Sequence, residues 1–148
     1  MDSLMRYISR IHRSGNVYRE RLVNIGLSGF QHVYILEVCH HPGISQEQLA
    51  RHICVNKSSV TRQLSALEQA GFITRSPSPD DKRVLQVFPT QKAESAYPQV
   101  RALMAEWNRR LLEDFTEEER NSLMSMLERA MGKAIQIIEE EDGGKGGS

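Results

Sequence analysis

Leu4, Ile8, Ile11, Tyr18, Leu22 and Ile25 recur at intervals of three or four positions, with one beat missed near Gly15. That period predicts an amphipathic helix at the start of the chain. Ser14-Gly15-Asn16 lies inside it and costs about 1 kcal/mol of helix propensity, which favours a kink or a late start there. A second helix is predicted over 28–40, stopped by Pro42-Gly43. Ser45-Gln46-Glu47-Gln48 has the form of a capping box and opens a short helix carrying Leu49, Ala50 and Ile53. Asn56 is placed to cap the next helix, whose apolar stripe is Val60, Leu64 and Leu67 and whose end is closed by Gly71.

The period then changes to two. Segments 72–75 and 84–88 are β-prone and bracket Ser76-Pro77-Ser78-Pro79-Asp80-Asp81-Lys82-Arg83, the pattern of a hairpin with an extended tip. Thr90 starts a helix reaching to about 112, with Pro98 in its first turns or at a kink. Thr116-Glu117-Glu118-Glu119 is a second capping box, ahead of a stripe of Leu123, Met126, Leu127, Ala130, Ala134, Ile137 and Ile138. The chain then turns acidic and Gly-rich, and 143–148 is expected to be a disordered tail.

The predicted fold is mainly α: a winged helix-turn-helix with a two-stranded β-hairpin wing and long N- and C-terminal dimerisation helices. One domain is expected over 1–142, with a DNA-binding lobe at 28–89 and dimerisation helices at 1–27 and 90–142. A short capped helix, a tight turn and a second helix is the geometry that lays one helix in a major groove. At about 100° per residue, the stripe of Val60, Leu64 and Leu67 sets the buried direction of that second helix. Ser58, Arg62, Ser65 and Gln69 then face away from it, Ser59 and Thr61 lie on the flanks, and Lys57 sits at the first turn. This outer face carries small hydroxyls, an amide and a cation but no carboxylate. Ordinary solvated faces mix both signs of charge, whereas small polar residues with an Arg suit base edges.

Composition narrows the class. Of 148 residues, 39% are apolar and 26% charged, which is globular composition, and no apolar run approaches a membrane span. The first residues hold no apolar stretch of the signal-peptide kind, and two cysteines, Cys39 and Cys54, suit reduced thiols and a cytoplasmic location. The zero net charge conceals segregation: residues 1–112 hold 15 Lys and Arg against 9 Asp and Glu, and residues 113–148 hold 4 against 10. A basic body leaves a nucleic-acid partner open.

The run from Asn56 to Arg75, NKSSVTRQLSALEQAGFITR, resembles the recognition helix and first wing strand of the MarR family of bacterial transcription regulators. Pro79-Asp80-Asp81-Lys82-Arg83, the second strand and Thr90 are similar to that family's wing and the opening of its following helix, and the resemblance extends over about 4–138. Pro89 stands where the family has Leu, and Ala93 where it usually has Gly. The resemblance implies a homodimer on a palindromic double-stranded DNA operator, with repression the expected outcome. It implies that Arg62, with Ser58, Ser59 and Thr61, reads the major groove, and that Arg83 enters the minor groove with Asp81 holding its guanidinium. The helical arithmetic adds to the DNA-binding set Ser65, on the same outer face, and Lys57 at the helix start, where a phosphate would sit. A narrow minor groove concentrates negative potential, which suits an Arg there. A plain turn with Asp81 as turn-former competes with that role. Many family members also bind small aromatic or phenolic acids, and His12, Arg13, Gln31, Tyr34 and Trp107 are the candidates here for such an effector, with ordinary packing as the alternative for each.

The long terminal helices carry more apolar surface than one small core covers, which independently favours a dimer, although packing on Leu103, Met104, Trp107 and Leu111 of the same chain would take up part of it. Cys39-His40-His41 places adjacent side chains about 100° apart and so makes no ready tetrahedral metal site; no metal and no cofactor are expected. Cys39 and Cys54 fall on mainly apolar faces, where free Cys is a small buried hydrophobe; a metal- or thiol-responsive sensor on the same fold is the alternative. No P-loop, G-x-S-x-G, G-x-G-x-x-G, H-E-x-x-H or C-x-x-C occurs, so no catalytic residues and no enzyme are expected. A winged helix serving only protein contacts is the reading from a different class.

Overall fold

In the computed structural model, which describes residues 3–146, the missed beat at Gly15 is a break between two helices. Helix α1 covers Leu4–Ser14 and α2 covers Asn16–Leu22, continued by a 3-10 turn at Val23–Ile25. A Cβ at Gly15 would lie 2.7 Å from Nη1 of Arg19 and 2.8 Å from the Tyr18 ring, so a larger residue there would push these side chains off the break. Helix α3 spans Gln31–His40, starting later than 28 because Gly29, at φ +56, lies in the left-handed region.

The two local caps form as the sequence predicts. Ser45 and Gln48 exchange reciprocal bonds at the start of α4 (Gln46–Ile53), at 3.1 and 3.2 Å. Thr116 and Glu119 do the same for α7 (Glu117–Lys145). Helix α5 covers Lys57–Gln69. The wing strands are β2 (Ile73–Pro77) and β3 (Leu85–Pro89), paired antiparallel with Arg75 opposite Val87. The sheet has three strands and not two: Ile44–Ser45 forms β1, on the other edge of β3 with Ile44 opposite Val87. A two-residue strand has no period to detect, and it exists because β3 offers an unpaired edge.

Thr90 joins the wing to α6 (Gln91–Leu111) by donating to the carbonyls of Gly71 and Phe72 at 2.6 and 3.0 Å. The departures at Pro89 and Ala93 are accommodated: Pro89 ends β3 opposite Ile73, and Ala93 is fully buried. Helix α6 runs on through Pro98.

The core is assembled from α3, α4, α5, the sheet and the first half of α6. Ile35, Val38, Leu49, Val60, Leu64, Leu67, Phe72, Val87 and Val100 are all buried to within 1%. Burial of side chains of this kind is worth about 1.5–3 kcal/mol each, which makes this cluster the main source of the lobe's stability. Leu103 and Met104 pack on the same core. The described residues form two compact units, one ending at Trp107 and one beginning at Asn108. In the second unit α7 buries none of its side chains. It also remains helical through Gly143 and Gly144 to Lys145, where a disordered tail was expected, because each added residue of an established helix gains one hydrogen bond. Residues 147 and 148 of that tail lie outside the described residues. Among the described residues no helix is long and apolar enough to cross a membrane.

Candidate nucleic-acid interface

The turn ahead of α5 is built from backbone geometry. Cys54 ends α4 in the left-handed region at φ 55, and the Val55 amide donates to the Ala50 carbonyl at 3.1 Å. Cys54 is therefore exposed at a helix end and is not the buried hydrophobe expected from its apolar neighbours. Asn56 then caps α5: its Oδ1 accepts from the Ser59 amide and from the Ser58 hydroxyl, both at 2.8 Å. This cap sets the direction in which α5 leaves the turn.

Val60, Leu64 and Leu67 of α5 are buried, which orients the opposite face as the 100° arithmetic predicts. Lys57 is exposed and only loosely paired, 3.9 Å from Glu47. Thr61 is exposed and donates its hydroxyl to the Lys57 carbonyl at 2.9 Å, and exposed Arg62 reaches the half-buried Ser59 hydroxyl at 3.5 Å. Ser65 departs from the expected outward row. It is half-buried and accepts from Nη2 of Arg75 at 3.2 Å, because a β2 side chain crosses over it.

Arg75 itself was not singled out in the sequence. Its guanidinium also donates to Gln46 Oε1 at 3.0 Å and to both oxygens of Glu68, at 3.4 and 3.2 Å. It thereby ties α4, α5 and β2 together, and the hydrogen bond from Arg75 holds the Glu68 carboxyl below its usual range. Glu68 is the carboxylate of α5, and this pairing neutralises it. The outer face is left with the exposed cations Lys57 and Arg62. Only the i to i+2 alternation of the strand hinted that Arg75 would turn toward the helices.

At the tip of the wing both roles considered for Asp81 hold together. Asp81 Oδ1 accepts from the Arg83 backbone amide at 3.1 Å, which is the turn-forming bond. The same carboxylate accepts from Nε at 3.1 Å and from Nη2 at 3.2 Å of the Arg83 guanidinium. The pair depresses the Asp81 pKa, chiefly through that side-chain bond. The Arg83 side chain is 90% exposed, so a fixed cation projects from the wing.

The five effector candidates are dispersed. Tyr34 is a core residue, its hydroxyl pushed up in pKa by burial. Gln31 accepts from the Ser28 amide at 3.0 Å and donates to Gln63 of α5 at 3.4 Å. Arg13 is exposed and offers its backbone carbonyl to Arg19 at 3.3 Å. His12 and Trp107 belong to one aromatic group: His12 stacks on Phe30 at 4.6 Å, and Trp107 packs on Tyr18 at 5.8 Å. The centre of that group is Arg19, which the sequence reading passed over. It is 7% exposed, its carbon Cζ lies 4.4 Å from the Phe30 ring centroid, and its partners are neutral: the His12 and Arg13 carbonyls and Asn16 Oδ1. Among the described residues it has no carboxylate partner. Beside it His32 is 1% exposed with an unpartnered Nδ1, and burial together with the Arg19 charge lowers its pKa to about 4.

The cysteines bear on the thiol alternative. Burial and the charge of Glu94 raise the Cys39 pKa, which disfavours the reactive thiolate.

Comparison with known proteins gives a consistent answer. The family model described as MarR family matches residues 27–85. The chain is 30% identical over 130 residues to an uncharacterized HTH-type transcriptional regulator, YybA, of Bacillus subtilis, covering 87% of each protein. A crystal structure of MarR is 32% identical, with a TM-score of 0.83 over 95% of this chain and 98% of that one. A structure described as a MarR family transcriptional regulator from Listeria monocytogenes complexed with 26mer DNA is 26% identical, with a TM-score of 0.87 over 92% of this chain and 91% of that one.

Proposed function

The chain belongs to the MarR family of transcription regulators, DNA-binding winged-helix proteins that are not enzymes, and from that premise we propose that it is a cytoplasmic repressor. In this reading a homodimer grips a palindromic operator and a small aromatic acid releases it. The observation that carries the DNA-binding mode is the outer face of α5, where Lys57 and Arg62 stand exposed and the one carboxylate, Glu68, is held by Arg75. Arg62 reads a base edge in the major groove, flanked by Ser58, Ser59 and Thr61, while Lys57 meets phosphate at the helix start. Arg83, aimed by Asp81, enters the minor groove.

The homodimer is supported by unpartnered apolar surface. Met124, Met126, Met131, Ile137 and Ile138 of α7 are each 46–57% exposed, and Leu4 and Met5 of α1 are comparably open. A second copy of the chain would cover such stripes and match the two-fold symmetry of a palindrome. The effector is supported by Arg19. A buried guanidinium bonded, among the described residues, to neutral acceptors and ringed by Tyr18, Phe30 and His12 suits the carboxylate and ring of an aromatic acid.

Operator affinity of four variants across a salt series tests the DNA mode, with circular dichroism confirming the fold. Arg62→Ala should cost about 1–3 kcal/mol and relax preference at one half-site position. Lys57→Ala should weaken all sequences alike and flatten the salt slope by about one unit. Arg83→Ala should lose most on A·T-rich flanks, and Asp81→Ala should follow it more weakly. Wild-type binding by folded Arg62→Ala and Arg83→Ala proteins would refute the mode.

A further inference from the structure

The fold brings together three side chains that neither the DNA interface nor the Arg19 group uses. Glu37 lies in the last turn of α3 and His41 is the residue that caps its C-terminal end, four positions on and bonded back to the Glu37 carbonyl. His52, near the end of α4, is carried against them by the packing of the two helices. One ligand atom from each residue lies within 4.8 Å of the other two. We propose that Glu37, His41 and His52 form a binding site for a divalent transition-metal ion of the zinc class.

Donor chemistry and geometry both support the assignment. Two imidazoles and one carboxylate suit zinc and its neighbours, and this set leaves a fourth position for water. Metal–ligand bonds of 2.0–2.2 Å in a tetrahedron put ligand atoms about 3.4 Å apart. His52 Nδ1 and Glu37 Oε2 are already 3.2 Å apart. The His41 and His52 rings lie 5.6 Å apart at 82°, edge against face, and both residues are exposed, so small ring rotations close the remaining gap. A simple Glu37–His52 ion pair would have no need of His41. The α3 terminus is also fixed, because the His41 amide donates to the Glu37 carbonyl at 2.9 Å. Cys39, within the same stretch, is half-buried and is not among the three converging ligands. An ion at this point pins the end of α3 to α4, the helix that leads through Cys54 into α5. Metal binding should therefore stabilise the helix-turn-helix.

The test is a titration of the full chain, stripped of metal by chelation, with cobalt(II) as the spectroscopic probe and zinc as the competitor. The expected result is saturable binding of one cobalt per chain, displaced by one equivalent of zinc, with a rise in melting temperature on loading. Glu37→Gln, His41→Gln and His52→Gln should each weaken zinc by more than the roughly 10–100-fold lost when an outer hydrogen-bond partner of a ligand is removed. His40→Gln, a control at the adjacent histidine, should bind as wild type. Absence of saturable binding in the wild type overturns the proposal. So does wild-type affinity in folded His41→Gln and His52→Gln, or loss of the ion in His40→Gln. None of these readouts depends on DNA.

Discussion

Replacing Arg75 with methionine isolates the contact that joins β2 to both helices of the helix-turn-helix, because the apolar stem is kept and only the guanidinium is lost. Its side chain is 16% exposed, so bonds to Gln46 at 3.0 Å and Ser65 at 3.2 Å are made largely away from water. Such bonds from a charged donor are worth about 1–1.5 kcal/mol each once the acceptors are rehydrated. The leg to Glu68 is discounted, since that carboxylate side chain is 41% exposed and behaves as a surface pair of about 0.5 kcal/mol. Arg75→Met should therefore lower unfolding free energy by about 2.5–3.5 kcal/mol. A urea titration would read this as a lower midpoint at unchanged slope. Part of the deficit depends on pH. The Glu68 pKa is depressed in the folded chain by Arg75, so its share is present above the unfolded value of 4.5 and is lost as pH falls through the folded value. The gap between wild type and Arg75→Met should narrow below pH 4.5 accordingly. Freed Glu68 also returns a negative charge to α5, so affinity for an operator selected from genomic fragments should fall several-fold, and Glu68→Gln should restore part of it. An unchanged midpoint together with wild-type affinity would refute the bridging role of Arg75.

Truncation after Leu112 removes α7 but spares the core, so the product should be a folded monomer without specific DNA binding; sedimentation together with operator binding checks this, and a monomer that keeps full affinity would refute the dimer assignment. A screen of aromatic and phenolic acids should find one that raises the melting temperature and weakens operator binding, by about 2.7 kcal/mol of stabilisation at 100 times Kd if only the native state binds; Arg19→Met should abolish both responses. The His32 ring should make stability fall as pH drops. Its folded pKa of about 4 lies below the ordinary 6.5, so the unfolded chain takes up the proton first, and the contribution is full above 6.5 and declines toward 4. The loss should reach about 3 kcal/mol, and His32→Phe should remove that slope from urea midpoints measured across this range.

The helix-turn-helix was legible along the chain because its signals are local. The stripe of Val60, Leu64 and Leu67, the Asn56 cap and the two capping boxes each lie within a few residues, and backbone geometry converts that spacing directly into structure. Asp81 and Arg83 were pointed to by the family resemblance and not by periodicity, and the contact between them is local, since two residues apart they close one turn. What the tertiary structure added depends on partners far along the chain. Strand β1 needs the edge of β3, some forty residues later. Arg75 acts by spanning α4 and α5. Arg19 is held chiefly by backbone carbonyls, which every residue possesses and no sequence pattern marks. Glu37 and His41 are neighbours at the end of α3, but only the packing of α3 on α4 brings His52 to them. Local periodicity decides which face of an element is buried; which distant polar groups meet is decided by the packing of those faces on one another.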